Sequence, residues 1–212
     1  MYKDREEAGV ILARELFKYK DSNAIVVGIP RGGVPVAYEL AKALHLPLEI
    51  ILTKKLGYPG NKEYAIGAVG LKDLYLTTQS HIPEEYIQEE IKDLRDRLQE
   101  MDKKFNGNRN PLSLKGKTVL LIDDGIATGI TLHGTIQVLK HQKPARIILA
   151  VPVAPQDSLD QLASSVDEII CPLIPKSLYA VGQFYYNFYQ VSDDEVLELL
   201  QEAEKAGFQN KS

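Results

Sequence analysis

The chain has 212 residues, 44% hydrophobic and 25% charged, with a formal charge of -4. That is the balance of an ordinary globular protein long enough for one domain, or for one domain with a sizeable insertion. The mild acidity argues against a generally basic, nucleic-acid-binding surface. Cys171 is the sole cysteine, so no internal disulfide can form, which fits a reducing compartment. The opening MYKDREEAG is too charged for a signal peptide, and no apolar run approaches the roughly 20 residues of a membrane helix. The expectation is a cytoplasmic protein acting on small molecules, with no nucleic acid and no membrane among its partners.

Val10, Leu12, Leu16 and Phe17 recur at helical spacing and predict a helix over 5–18. AIVVGI (24–29) is a short apolar run ending in Pro-Arg-Gly-Gly, which reads as a buried strand and a turn. A helix over 34–44 and a second buried strand, LEIILT (48–53), complete a βαβ unit. The pattern then changes. KKLGYPGNKEYAIGAVG is glycine-rich and predicts a long loop leading into short strands. Ile87, Ile91, Leu94, Leu98, Met101 and Phe105 step by 4, 3, 4, 3 and 4, which predicts an amphipathic helix of about six turns. A helix packed on its own domain is the simpler reading of that stripe; a dimer seam is the other.

Buried strands resume with TVLLI (118–122), followed by a helix over 130–140, strand ARIILAVPV (145–153), a helix over 156–163 and strand EIICP (168–172). Ser192 and Glu195 have the spacing of a capping box that opens a last helix, DDEVLELLQEAEKAG. Alternating apolar strands and helices predict an α/β fold with a doubly wound, mostly parallel sheet. Ligands of such sheets bind beyond the C-terminal strand ends.

VLLIDDGIATGIT (119–131) is the stretch that carries chemistry. Two adjacent carboxylates, Asp123 and Asp124, repel each other at a strand end. Such a pair is kept where it can accept from sugar hydroxyls, a cation or a water network. Side chains then thin out at Gly125, Ala127 and Gly129, so backbone amides can turn inward at a helix N-terminus and cradle an anion, with Thr128 and Thr131 adding hydroxyls. Vicinal hydroxyls beside a phosphate describe a ribose 5-phosphate.

The stretch resembles the 5-phosphoribosyl-1-pyrophosphate (PRPP) motif of type I phosphoribosyltransferases. The resemblance implies that Asp123 and Asp124 meet the ribose hydroxyls as the catalytic pair, and that Ala127, Thr128, Gly129, Ile130 and Thr131 hold the 5′-phosphate. IPRGGVP (29–35) resembles the family's pyrophosphate loop, with Arg31, Gly32 and Gly33 as contacts. Lys54 and Lys55 resemble its basic residue at the next strand end. The segment 56–68 occupies the place of its flexible catalytic loop, and Glu63 within it is a candidate general base, although a solvated loop charge is the simpler reading. The whole chain, 1–212, then reads as one phosphoribosyltransferase domain with a loop and helix insertion at about 54–110 and a C-terminal helical hood. The implied reaction transfers a phosphoribosyl group from PRPP to a nitrogen acceptor, such as a nucleobase, and releases pyrophosphate. Mg²⁺ would be carried mainly by PRPP rather than by a protein cage, and a homodimer is a candidate assembly. A non-catalytic PRPP- or nucleotide-binding regulator of the same fold is the alternative.

Ala127 replaces the aspartate that serves as acid/base in hypoxanthine-guanine enzymes, which disfavours that mechanism; ATGIT is closer to the ATGGT of adenine enzymes. Tyr179, Phe184, Tyr185, Tyr186, Phe188 and Tyr189 form a cluster that suits either an acceptor pocket or a small core. The sequence has no GxxxxGK[ST] or GxSxG motif, and its four histidines lack metal-site spacing.

Overall fold

The computed structural model describes residues 1–77, 81–107 and 109–207. Five strands form a parallel sheet: β1 (Ile25–Gly28), β2 (Leu48–Ile50), β6 (Thr118–Ile122), β7 (Arg146–Ala150) and β8 (Glu168–Ile170), in the order β2-β1-β6-β7-β8. Between β2 and β6 in the chain, a second, antiparallel sheet forms from β3 (Thr53–Tyr58), β4 (Asn61–Gly70) and β5 (Leu74–Leu76). The helices are α1 (Arg5–Glu15), α2 (Gly33–Leu44), α3 (Glu84–Phe105), α4 (Ile130–His141), α5 (Gln156–Ala163) and α6 (Asp193–Lys205).

Period-two alternation along the parallel strands divides the core between two faces. Val26, Leu48, Leu120, Ile122 and Ile148 point to the face covered by α1, α2, α3 and α6. Ile25, Val27, Val119, Leu121 and Ile147 point to the face covered by α4 and α5. Along α1 the buried positions Ala8, Leu12 and Leu16 step by four, whereas Val10 and Phe17 are exposed, so those two are not part of the expected apolar stripe. The capping box at α6 is half formed. Ser192 Oγ accepts from the Glu195 amide at 3.1 Å, while the Glu195 carboxylate accepts from the Tyr189 hydroxyl instead of reaching back.

The expected strand over 48–53 is divided between two sheets. Its pairing with β1 ends at Ile50, and Thr53 pairs with Gly70 in the antiparallel sheet. Lys54 and Lys55 therefore lie within β3 and do not end a parallel strand. The expected loop over 56–68 is a bulged hairpin of β3 and β4. Leu56, Ile66 and Ala68 are buried, and at the tip Lys62 forms an ion pair with Glu90 of α3. A long run without hydrophobic periodicity hid this hairpin, because its glycines lie within the strands and at their bulges.

β4 lies directly on α4. A Cβ added at Gly134 of α4 would lie 2.6 Å from the Ala68 Cβ of β4, so only glycine fits there. The amphipathic stripe of α3 packs on its own domain. Ile91, Leu98 and Phe105 are buried in the same cluster as β2 and α6, and Ile87, Leu94 and Met101 pack at its edge. Leu98→Ala should cost about 2–5 kcal/mol of unfolding free energy in denaturant titrations. Glu100→Ala on the exposed face should change it by less than about 0.5 kcal/mol.

Candidate active site

The order β2-β1-β6-β7-β8 reverses between β1 and β6. The chain leaves β1 toward β2 on one side, and it leaves β6 toward β7 on the other. Their following loops part there and leave a crevice at the strand ends. The loop after β1, 29–33, holds Arg31, Gly32 and Gly33, and the loop after β6, 123–129, begins with the acid pair. The two loops touch: the Ile29 amide donates to Ile122 O at 2.9 Å, and a Cβ on Gly32 would lie 2.0 Å from Asp124 Oδ2. Glycine at 32 thus first accommodates the protein's own carboxylate. The Pro30–Arg31 peptide is cis.

Asp123 Oδ1 accepts from the Asp124 amide at 2.9 Å. Burial, and secondly the charge of Asp124, hold the Asp123 carboxyl well above the ordinary aspartate range. Burial also raises Asp124, opposed by Arg5. Arg5, itself 4% exposed, donates from Nε and pairs from Nη2 to the same Asp124 oxygen, each at 2.9 Å. Its Nη1 donates to Tyr189 O at 2.8 Å, and the guanidinium lies 3.9 Å from the Phe188 ring centroid. From the other side, the Tyr185 hydroxyl donates to Asp124 O at 2.6 Å. The pair thus divides: Asp124 is bound to a guanidinium, and among the described residues Asp123 forms no ion pair.

Beyond the pair, the Ile126 amide donates to Val153 O, and Ser158 Oγ donates to Ala127 O at 2.7 Å, which ties the middle of the loop to the residues after β7 and to α5. Gly129 has φ +70° and is the residue before α4. No side chain caps that helix, so among the described residues its first-turn amides are left for another acceptor. Ala127, Thr128, Ile130 and Thr131 surround them, and all four are open to solvent. A cavity of about 300 Å³ opens beside Gly129 and Ile130, walled by His133 and by Ala65 and Tyr75 of the antiparallel sheet.

A second cavity, of about 370 Å³, is lined by Arg5, Arg31, Gly32, Asp124, Phe188 and Tyr189. Arg31 reaches it while paired to Asp193, at the start of α6, at 2.6 Å; Lys104 shares that carboxylate at 3.0 Å. Lys55 and Glu63 meet each other at 2.9 Å on the exposed hairpin, and neither lines this cavity. The aromatic cluster divides. Tyr185 is buried against Tyr2, whereas Tyr179 and Tyr186 are exposed.

A family model described as "Phosphoribosyl transferase domain" matches residues 5–188. The chain belongs to that family. It is 36% identical over 210 residues to the Mycobacterium tuberculosis proteins MT0597 and Rv0571c, which carry provisional phosphoribosyl transferase names. Those matches cover 97% of this chain and 47% of each relative, so the chain spans about half their length. TT1426 from Thermus thermophilus superposes with a TM-score of 0.88 at 35% identity, covering 95% of this chain and 98% of that one. The purine phosphoribosyltransferase from Pyrococcus horikoshii shares the fold at a TM-score of 0.50 and 19% identity, over 89% and 92% of the two chains.

In this phosphoribosyl transferase domain the structure brings Asp124, Arg31 and Gly32 around one cavity and leaves Lys55 and Glu63 on the hairpin. The sequence reading missed Arg5, Ser158 and Tyr2. Arg5 follows the helix cap Asp4, and nothing local separates it from an ordinary first-turn charge.

Asp123→Asn keeps the acceptor for the Asp124 amide and removes the buried charge. Because the folded-state pKa of Asp123 is raised, this group lowers the stability of the wild type progressively as pH rises from the ordinary carboxylate range through the folded value, and costs nothing below it. The variant should therefore melt about 2–4 °C higher than wild type at neutral pH. The gain should vanish in acid, as scanning calorimetry across pH would show.

Proposed function

We propose that this domain binds PRPP in the crevice between β1 and β6 and transfers its phosphoribosyl group to a nitrogen acceptor. The observation that carries the reading is the N-terminus of α4, free of a side-chain cap, at the end of the short loop that begins with the carboxylate pair. One loop then offers acceptors for ribose hydroxyls and amides for a phosphate, in the order a ribose 5-phosphate requires.

In this reading Asp123 and Asp124 orient the ribose and favour the positive charge that develops on an oxocarbenium-like ring. Amides of 127–131 hold the 5′-phosphate. Arg31 and the loop around Gly32 and Gly33 take the pyrophosphate, and Arg31 exchanges its Asp193 partner for the leaving group. Among the described residues no group of three or more His, Cys, Asp or Glu side chains could hold a metal ion. Mg²⁺ would be held mainly by the oxygens of PRPP, where it would neutralise charge on the leaving group. The hairpin tip, with Lys54, Lys55 and Glu63 on its strands, closes over the crevice and keeps water from the reacting carbon. The aromatic residues Phe188 and Tyr189 flank the acceptor. The purine named for the Pyrococcus horikoshii enzyme is one acceptor to include, and Ala127 argues against a 6-oxopurine that relies on an acid at that position. A regulator that binds PRPP without turnover is the second reading; the tie between Arg31 and Asp193 favours it to the extent that pyrophosphate fails to displace Asp193.

Pyrophosphate release from Mg-PRPP, measured across a panel of nucleobases and small amines, tests the reading. Release that depends on one acceptor class supports transfer. Tight binding without release under any acceptor supports the regulator, and no binding refutes both. Removing residues 58–61 should cut release far more than PRPP affinity. Gly129→Val should abolish PRPP binding in calorimetry, because a β-branched residue at φ +70° distorts the turn that aims the amides. Wild-type affinity in that variant would show that the phosphate is held elsewhere.

A further inference from the structure

Arg5 is the buried basic residue of the crevice, and the transfer chemistry described above has no task for it. It opens α1, more than a hundred residues before the acid pair. Its guanidinium joins three groups from two separate segments: the Asp124 carboxylate, and the Tyr189 carbonyl with the face of the neighbouring Phe188. Both contacts to Asp124 fall on Oδ2, the oxygen that also lies against Gly32. With Oδ2 fixed from two directions, the carboxylate cannot turn, and Oδ1 is the oxygen left to accept from a ligand.

We propose that Arg5 is the positioning residue for ribose recognition: by clamping Asp124 Oδ2 against Gly32 it presents Oδ1 to a ribose hydroxyl. This rests on the PRPP reading and assigns a task within it. Arg5 touches no reacting atom. It acts through Asp124, and its hydrogen bond to Tyr189 O ties the ribose contact to the wall of the cavity beside it. Lysine is not equivalent, because one ammonium cannot place two N–H groups on a single oxygen and stack flat on Phe188.

The test compares wild type, Arg5→Met, Asp124→Asn and the double variant by calorimetry. Mg-PRPP is one titrant and inorganic phosphate, as a probe of the 127–131 loop, is the other. Arg5→Met should weaken PRPP by about 10-fold or more, the usual scale for losing charge-assisted hydrogen bonds, and leave phosphate unchanged. In the Asp124→Asn background the Arg5 change should cost nothing further. Unchanged PRPP affinity in a folded Arg5→Met overturns the proposal. So does an equal loss of phosphate, which would mark a general structural role, or a full loss in the Asp124→Asn background. If Arg5→Met does not fold, Arg5→Lys carries the test: weaker PRPP with intact phosphate is expected, and wild-type PRPP affinity overturns the two-donor clamp. Wild type that fails to bind PRPP at all would instead refute the reading on which the proposal rests.

Discussion

Two carboxylates at the end of β6 carry a desolvation cost that the fold must meet nearby, and it meets half of it. Arg5 neutralises Asp124, while Asp123 has the Asp124 amide and, among the described residues, no ion pair. An isolated buried pair would be strongly destabilising. The surrounding arrangement follows from this constraint. α1 must lie along α2 so that its first residue can reach the crevice. The segment before α6 must return past the same point so that Tyr189 and Phe188 can complete the guanidinium shell. The parallel bridge of Tyr2 to Tyr185 fixes that return.

Much of this was legible in the chain itself, for identifiable reasons. The parallel strands are apolar on both faces and flanked by turn residues, so TVLLI stands out, and the helix over 156–163 has the observed boundaries. The acid pair and small-residue loop are contiguous, and all their information lies within 13 residues. What failed was nonlocal or compensated. The hairpin of β3 and β4 takes its register from cross-strand pairing and from packing on α4, which glycine-rich composition conceals. The roles of Arg5 and Tyr2 depend on contacts across about the whole chain, and no local spacing encodes them. Lys54 and Lys55 were misplaced because an apolar run gives no sign of where it changes sheets.

The family relationship and the geometry carry different parts of the account. Membership accounts for the fold and for the resemblance of the motif. The division of the pair into a clamped Asp124 and a cation-poor Asp123 comes from this chain's own residues. Leaving one carboxyl in an unfavourable environment is common at functional sites, where stability is given up for a group poised to react or bind.

The seam between α4 and β4 has a mechanical consequence. Where Gly134 meets Ala68, two backbones approach with almost no side chain between them. Ordinary helix–sheet contacts have a layer of rotamers that can absorb a small shift, but this seam has none. α4 starts at the proposed anion turn, and β4 continues into the hairpin. A shift of the helix at this contact would therefore carry the strand with it, because no side chain stands between them to take up the movement.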